Sequence, residues 1–93
     1  MRDLRKEARG KECQIRLSGI CNFDNATTVL AHVRLIGISG GGYKAPDILG
    51  AHACSACHAY VDSHHDDKTR ADFADGVYRT IFSLWKRGLV VLK

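Results

Sequence analysis

The segment Cys54-Ser55-Ala56-Cys57-His58 places two thiols and an imidazole close enough together to act on one metal or one cofactor. Two cysteines with this spacing are typical of one half of a structural zinc site. The same spacing followed by a histidine is also the C-x-x-C-H sequence that attaches haem. The choice between the two interpretations depends on the other cysteines of the chain, Cys13 and Cys21.

A zinc site would use all four cysteines. A tetrahedral structural zinc takes four soft ligands, commonly as two pairs from separate turns. Cys54 and Cys57 form a pair with the usual spacing, whereas Cys13 and Cys21 form a looser one and could instead be buried free thiols. The highly charged opening residues, which lack an apolar signal-like run, predict a cytoplasmic protein, where thiols bind metal more often than they form disulfides. We therefore predict a structural zinc site.

The haem interpretation accounts for less of the sequence. It predicts an exported chain with a further iron ligand, yet Met1 is the one methionine and the opening residues do not resemble a signal peptide. It would also leave Cys13 and Cys21 without a role. The sequence therefore favours zinc over haem.

His58 can serve a second site once the cysteines are assigned to zinc. Asp62 follows His58 by one helical turn, so both side chains point to one side of a helix and can hold a divalent cation. His32, in a strand-like run, can face the same cleft. A cation that stabilises phosphate and a histidine that deprotonates water are the minimum equipment for phosphodiester hydrolysis.

Two strand-like patterns precede the Cys54 segment. Cys13, Ile15 and Leu17 alternate with polar residues and predict a first strand. Residues 27–36 are rich in β-branched side chains and predict the strand that carries His32. Residues 37–46 contain a triple glycine and predict a connecting loop.

The rest of the chain is predicted to be helical. Residues 55–62 predict a helix that begins near His58, and apolar residues at helical spacing predict a longer helix from about Thr69 to Arg87, with Trp85 in the core. Residues 1–10 are a basic arm or a short helix. The predicted fold is a single α+β domain over residues 1–93, with a β-hairpin, a zinc knuckle and two packed helices.

The motifs around His32 and His58 also resemble those of a known family. Ala31-His32-Val33, a loop, and Ala53-Cys54-Ser55-Ala56-Cys57-His58 resemble the cysteine-framed form of the HNH nuclease motif. With the opening residues 3–13, nearly the whole chain resembles the prophage-encoded YbcO-like nucleases, which are related more distantly to the RecA-dependent phage nuclease Ref. The resemblance implies a small HNH-like ββα-metal core framed by a four-cysteine zinc site, with an additional C-terminal helix.

The resemblance also implies roles for individual residues. His32 corresponds to the general base that activates water, and His58 corresponds to a ligand of a catalytic Mg²⁺ or Mn²⁺. The asparagine that usually orients the base is missing, so Asp47 is the nearest polar candidate and His52 the next. Asp62 stands where a second ligand histidine is common. Ala31 stands where many family members carry an aspartate or histidine ligand.

Charge indicates the kind of partner. The net charge of +4 is concentrated near the N-terminus and favours DNA as the partner, although a solvated helical face would explain it equally well. No apolar run approaches the roughly 20 residues of a membrane-spanning helix. We predict a metal-dependent DNA endonuclease from a phage. The alternative is a non-catalytic, zinc-stabilised module that binds DNA or a recombination protein such as RecA.

Overall fold

The described part of the chain contains helices and two short strands. The structure, a computed structural model, describes residues 3–35, 37–39 and 44–90. In order, the elements are α1 (Leu4–Glu7), a 3₁₀ helix (Asn25–Thr27), β1 (Val29–His32), a second 3₁₀ helix (Asp47–Leu49), β2 (Gly50–Ala53), α2 (Ser55–Ser63) and α3 (Asp67–Lys86). The predicted α+β class is confirmed.

The two strands form an antiparallel sheet that is covered on both faces. Ala31 pairs with Ala51, and Leu30 pairs with His52. Because side chains alternate between the faces of a strand, these two pairs point in opposite directions. The alanine face belongs to a core that also contains the four cysteines, and the Leu30 face belongs to a second core. The members of the second core from outside the sheet include Leu4, Ala8 and Leu84.

Helix α3 packs against β2 and against the segment that carries Cys13. Thr80 Oγ1 accepts a hydrogen bond from the backbone N–H of His52 at 2.9 Å and donates one to the carbonyl oxygen of Gly76 at 2.8 Å. A Cβ at Gly76 would lie 2.8 Å from Cγ1 of Ile15, so glycine allows this close approach. The prediction of a long C-terminal helix is correct. It begins slightly earlier than predicted because Asp66 caps it, accepting a hydrogen bond from the backbone N–H of Thr69.

The strand predicted around Cys13, Ile15 and Leu17 is wrong, although the burial pattern behind it is real. All three side chains are buried, but the segment has no strand structure and Arg16 has a φ of 54°. A residue in this left-handed region turns the chain and interrupts an extended conformation. The alternation therefore comes from side chains inserted into the core of the protein.

Two other expectations also require correction. Trp85 was predicted to be in the core, but 50% of its surface is exposed, whereas its neighbour Leu84 is 2% exposed. Adjacent helical residues differ by about 100° in direction, so only one of the two can point at the core. The strand predicted over residues 27–36 is limited to Val29–His32 among the described residues, and Ile36 lies outside them.

The N-terminal helix is anchored by its apolar side. Leu4 and Ala8 are 5% and 0% exposed, and both belong to the second core. Asp3 caps the helix by accepting a hydrogen bond from the backbone N–H of Arg5. In the described part of the chain, no helix has both the length and the apolar character needed to cross a membrane.

Candidate metal centre and catalytic site

The four cysteines converge on one point. Cys13 and Cys21 come from the irregular segment before β1, and Cys54 and Cys57 come from the junction of β2 with α2. Their Sγ atoms all lie within 4.8 Å of one another, and those of Cys21 and Cys54 are 3.7 Å apart. A zinc ion with Zn–S bonds of about 2.3 Å places its tetrahedral ligands about 3.8 Å apart. The cluster can therefore hold a metal such as zinc.

Backbone amides point at these sulfur atoms. The N–H of Arg16 donates to Sγ of Cys13 at 3.5 Å, and the N–H of Cys57 donates to Sγ of Cys54 at 3.3 Å. The second of these bonds also caps the N-terminus of α2. Hydrogen bonds of this kind stabilise negative charge on a sulfur atom and orient it as a ligand. The backbone thus orients two of the four sulfur atoms.

The four thiols differ in acidity. Burial raises the pKa of Cys57 and, to a smaller extent, that of Cys21. Burial is also the largest single influence on Cys54 and disfavours its thiolate, but hydrogen bonds from the backbone of Cys57 and Asn22 and from the side chains of Cys57 and Cys21 together outweigh it and lower the pKa of Cys54 to about 7. Metal binding needs deprotonated cysteines, so binding at this cluster must release protons. Several thiolates this close together repel one another, and a divalent cation would offset that repulsion.

His32 forms a close pair with Asp47. His32 ends β1, and Asp47 begins the 3₁₀ helix that precedes β2. The backbone N–H of Val33 donates to the carbonyl oxygen of Leu49 at 2.9 Å and joins the two segments. Nε2 of His32 lies 2.7 Å from Oδ1 of Asp47. A proton on Nε2 is donated to this carboxylate, which leaves the lone pair of Nδ1 available to accept a proton.

His58 and Asp62 form a second pair on α2. Nε2 of His58 lies 3.4 Å from Oδ2 of Asp62, as the one-turn spacing predicts. The backbone N–H of His58 donates to the carbonyl oxygen of Cys54 at 2.9 Å, so this pair directly adjoins the cysteine cluster. Nη2 of Arg34 approaches the other oxygen of Asp62 at 3.6 Å. An arginine therefore competes with any cation for this carboxylate.

The structure does not unite the two pairs into one ligand set. Within residues 3–35, 37–39 and 44–90, the four cysteines form the one group of at least three histidine, cysteine or acidic side chains that could hold a metal. His58 and Asp62 thus offer two ligands, while His32 is paired with Asp47. A cation at His58 would complete its coordination with water and phosphate oxygens, as Mg²⁺ commonly does.

His52 is in a different environment. It is 1% exposed and lies opposite Leu30 in the sheet, on the face of the second core. Its Nε2 atom has no hydrogen-bond partner among the residues that the structure describes. Burial lowers the pKa of His52 to about 4, with Arg87 and Lys11 contributing in the same direction. Of the two candidates for the middle position of the motif, Asp47 is the one in contact with His32.

Arg34 was not predicted as a site residue. It stands two residues after His32, and residues at that spacing share a face of an extended chain. This spacing was the one feature of the sequence that could have placed Arg34 near the site. It was weak because the contact of Arg34 with Asp62 depends on how α2 packs beside β1.

The fold and the site together define a small α+β protein that has a cysteine cluster suited to a metal and two histidine–aspartate pairs, one of which adjoins the cluster. The model of the family described as "Putative nuclease YbcO" matches residues 2–89. The chain belongs to this family, as the resemblance of its motifs predicted.

Individual relatives agree with this assignment. The protein named "Putative nuclease YbcO" from Escherichia coli strain K12 is 50% identical over 78 residues, which are 84% of this chain and 75% of the relative. A relative of the same name in Enterobacteria phage 82 has the same identity and coverage, in agreement with the predicted phage connection. A solved structure titled as a putative bacteriophage protein from Escherichia coli K-12 is 38% identical, with a TM-score of 0.76. It covers 92% of this chain and 100% of its own.

Proposed function

We propose that this protein is a metal-dependent nuclease that hydrolyses phosphodiester bonds in DNA. The observation that carries the proposal is the contact of 2.7 Å between Nε2 of His32 and Oδ1 of Asp47. A histidine oriented by a carboxylate is a common arrangement for a general base. The names of the relatives, which describe nucleases, support the same activity.

The order of the elements supports an HNH-like core. Strand β1 ends at His32, β2 pairs with it antiparallel, and α2 follows β2 at once with His58 in its first turn. This is the ββα order that the motif implies. The cysteine cluster joins the start of α2 to the segment before β1, so zinc bound there would fix the helix relative to the strands.

Each residue of the proposed site has a distinct task. Nδ1 of His32 takes a proton from the attacking water, and the carboxylate of Asp47 holds the ring and offsets its positive charge. His58 and Asp62 are the residues that would hold Mg²⁺ or Mn²⁺. When bound, the cation stabilises negative charge on the phosphate and on the leaving oxygen. Arg34 can contact the phosphate if Asp62 turns toward the cation.

The test is cleavage of DNA by the purified protein with Mg²⁺, with Mn²⁺ and with a chelator that leaves the cysteine-bound metal in place. We expect cleavage that requires an added cation, and we expect His32→Ala to reduce its rate by about 10²-fold or more. His65→Ala is the matched control, because His65 is exposed between α2 and α3. Equal loss in both variants, or cleavage that persists without His32, would contradict the mechanism.

A second function is favoured by the contact of Arg34 with Asp62, because the arginine competes with the catalytic cation for this carboxylate. On this alternative, the protein is a zinc-stabilised module that binds DNA or a recombination protein such as RecA without cutting. Binding of DNA with no cleavage under any divalent cation, with and without RecA filaments, would select it. Cleavage that appears with RecA present would instead indicate a nuclease that depends on its partner.

A further inference from the structure

Helix α3 has a second apolar face that points away from the core. Tyr78, Phe82 and Trp85 are 69%, 55% and 50% exposed, while Val77 and Leu84 fill the buried side. The rings of Phe82 and Trp85 stack with their centroids 6.0 Å apart. Exposed aromatic patches of this kind are uncommon on a monomer and mark interaction surfaces.

The spacing along this face follows a regular pattern. Ala71, Asp75, Tyr78, Phe82 and Trp85 are separated alternately by four and three residues, and all five are exposed. This alternation is the spacing of the contact positions in a coiled coil, where one helix packs along another with a shallow crossing angle. The face is therefore shaped to receive another helix.

The charges on this face indicate which helix it receives. Asp75 lies at one end of the aromatic residues and Lys86 at the other, where its Nζ sits 4.8 Å from the centre of the Phe82 ring. Two parallel copies would place like charges together, which is unfavourable. Two antiparallel copies would bring Asp75 of one copy beside Trp85 and Lys86 of the other, so opposite charges meet and the helix dipoles oppose.

We propose that a second copy of this chain binds here, with two α3 helices antiparallel about a twofold axis. In this arrangement, Tyr78 packs against Phe82 of the partner subunit, and the reverse contact is made by symmetry. This inference goes beyond the nuclease activity and does not rest on it.

The area available is that of a modest interface. The exposed parts of the three aromatic side chains add up to about 400 Å² on each copy, since such side chains present about 150–250 Å² when fully exposed. Both copies together with their flanking residues would bury about 1,200 Å², which lies at the lower end of specific interfaces. We expect a dissociation constant in the micromolar range, so both monomer and dimer should be present at concentrations that are easily measured.

Trp85 is the one tryptophan of the chain and reports directly on the interface. Analytical ultracentrifugation of the full chain should show a monomer becoming a dimer as the concentration rises. Trp85 emission should shift to shorter wavelength over the same range. A monomer at all concentrations up to several hundred micromolar would overturn the proposal. So would an emission that is already blue-shifted in the dilute monomer, because the chain itself would then cover the ring.

Variants test the face and its orientation separately. Phe82→Glu should raise the dissociation constant of the dimer by about 30-fold or more. Arg70 lies about 120° from Phe82 around α3, so Arg70→Glu should change the dissociation constant little. Asp75→Lys and Lys86→Glu should each weaken it several-fold, and the double variant should restore it. Equal effects of Phe82→Glu and Arg70→Glu, or a double variant weaker than both single ones, would overturn the antiparallel pair. Circular dichroism checks that each variant is folded.

Discussion

Protonation of His52 should destabilise the fold at mildly acidic pH. The side chain is 1% exposed, and Leu30 lies opposite it in the sheet. Within the described part of the chain, its Nε2 has no hydrogen-bond partner. Burial is the main reason that its pKa falls from 6.5 to about 4. Arg87 and Lys11 add to the effect, and Glu7 acts in the opposite direction.

The sign and size of the effect follow from linkage. Above about pH 6.5 the ring is neutral in both states, so the full stability is present. As the pH falls from 6.5 to about 4, the unfolded chain binds a proton that the folded chain does not, and stability is lost. The limiting loss is about 3 kcal/mol. Salt screens the contribution of the surface charges, so we expect about 1–2 kcal/mol at about pH 5.

The assay compares the protein with His52→Leu by urea unfolding at about pH 7 and about pH 5, both saturated with zinc. At the higher pH the variant should be equal or more stable, since it removes an unpartnered buried nitrogen. At the lower pH its advantage should grow by about 1–2 kcal/mol. Protonation of the cysteine ligands affects both proteins alike and cancels in this difference. An unchanged difference between the two pH values would refute the reasoning.

Three further predictions concern packing, the metal and the proposed base. Gly76→Ala should lower the free energy of unfolding by about 1–2 kcal/mol in urea titrations, because the added Cβ would lie 3.1 Å from Cα of Ile15. A variant more stable than the original protein would show that the segment around Ile15 can move away. Cys57→Ser should reduce bound zinc from one ion per chain towards none in elemental analysis, and full retention would contradict a four-cysteine site. Asp47→Asn should slow DNA cleavage by about 10²-fold or more at unchanged zinc content, because an amide no longer fixes the proton of His32 on Nε2. An unchanged rate would exclude the orienting role of Asp47.

The sequence predicted the elements whose signals are local. The helix after Cys54, the one-turn separation of His58 from Asp62, and the long C-terminal helix each depend on neighbours along the chain; both helices form, and His58 lies next to Asp62. The prediction of a strand at Cys13 was wrong because alternating apolar residues occur both in a strand and in an irregular segment that inserts side chains into a core. The prediction that Trp85 lies in the core was wrong because α3 is apolar on two sides, and composition alone does not say which side faces the sheet.

The sequence by itself determined the family, the α+β class, and the residue types that can bind metal or transfer a proton, because these follow from residue identity and short-range spacing. Only the tertiary structure decided which of these residues meet. It joined four cysteines from distant segments, paired His32 with Asp47 rather than with His52, and placed Arg34 on Asp62. Such contacts depend on how β1, β2 and α2 pack together, and packing is set by the whole core rather than by any one motif.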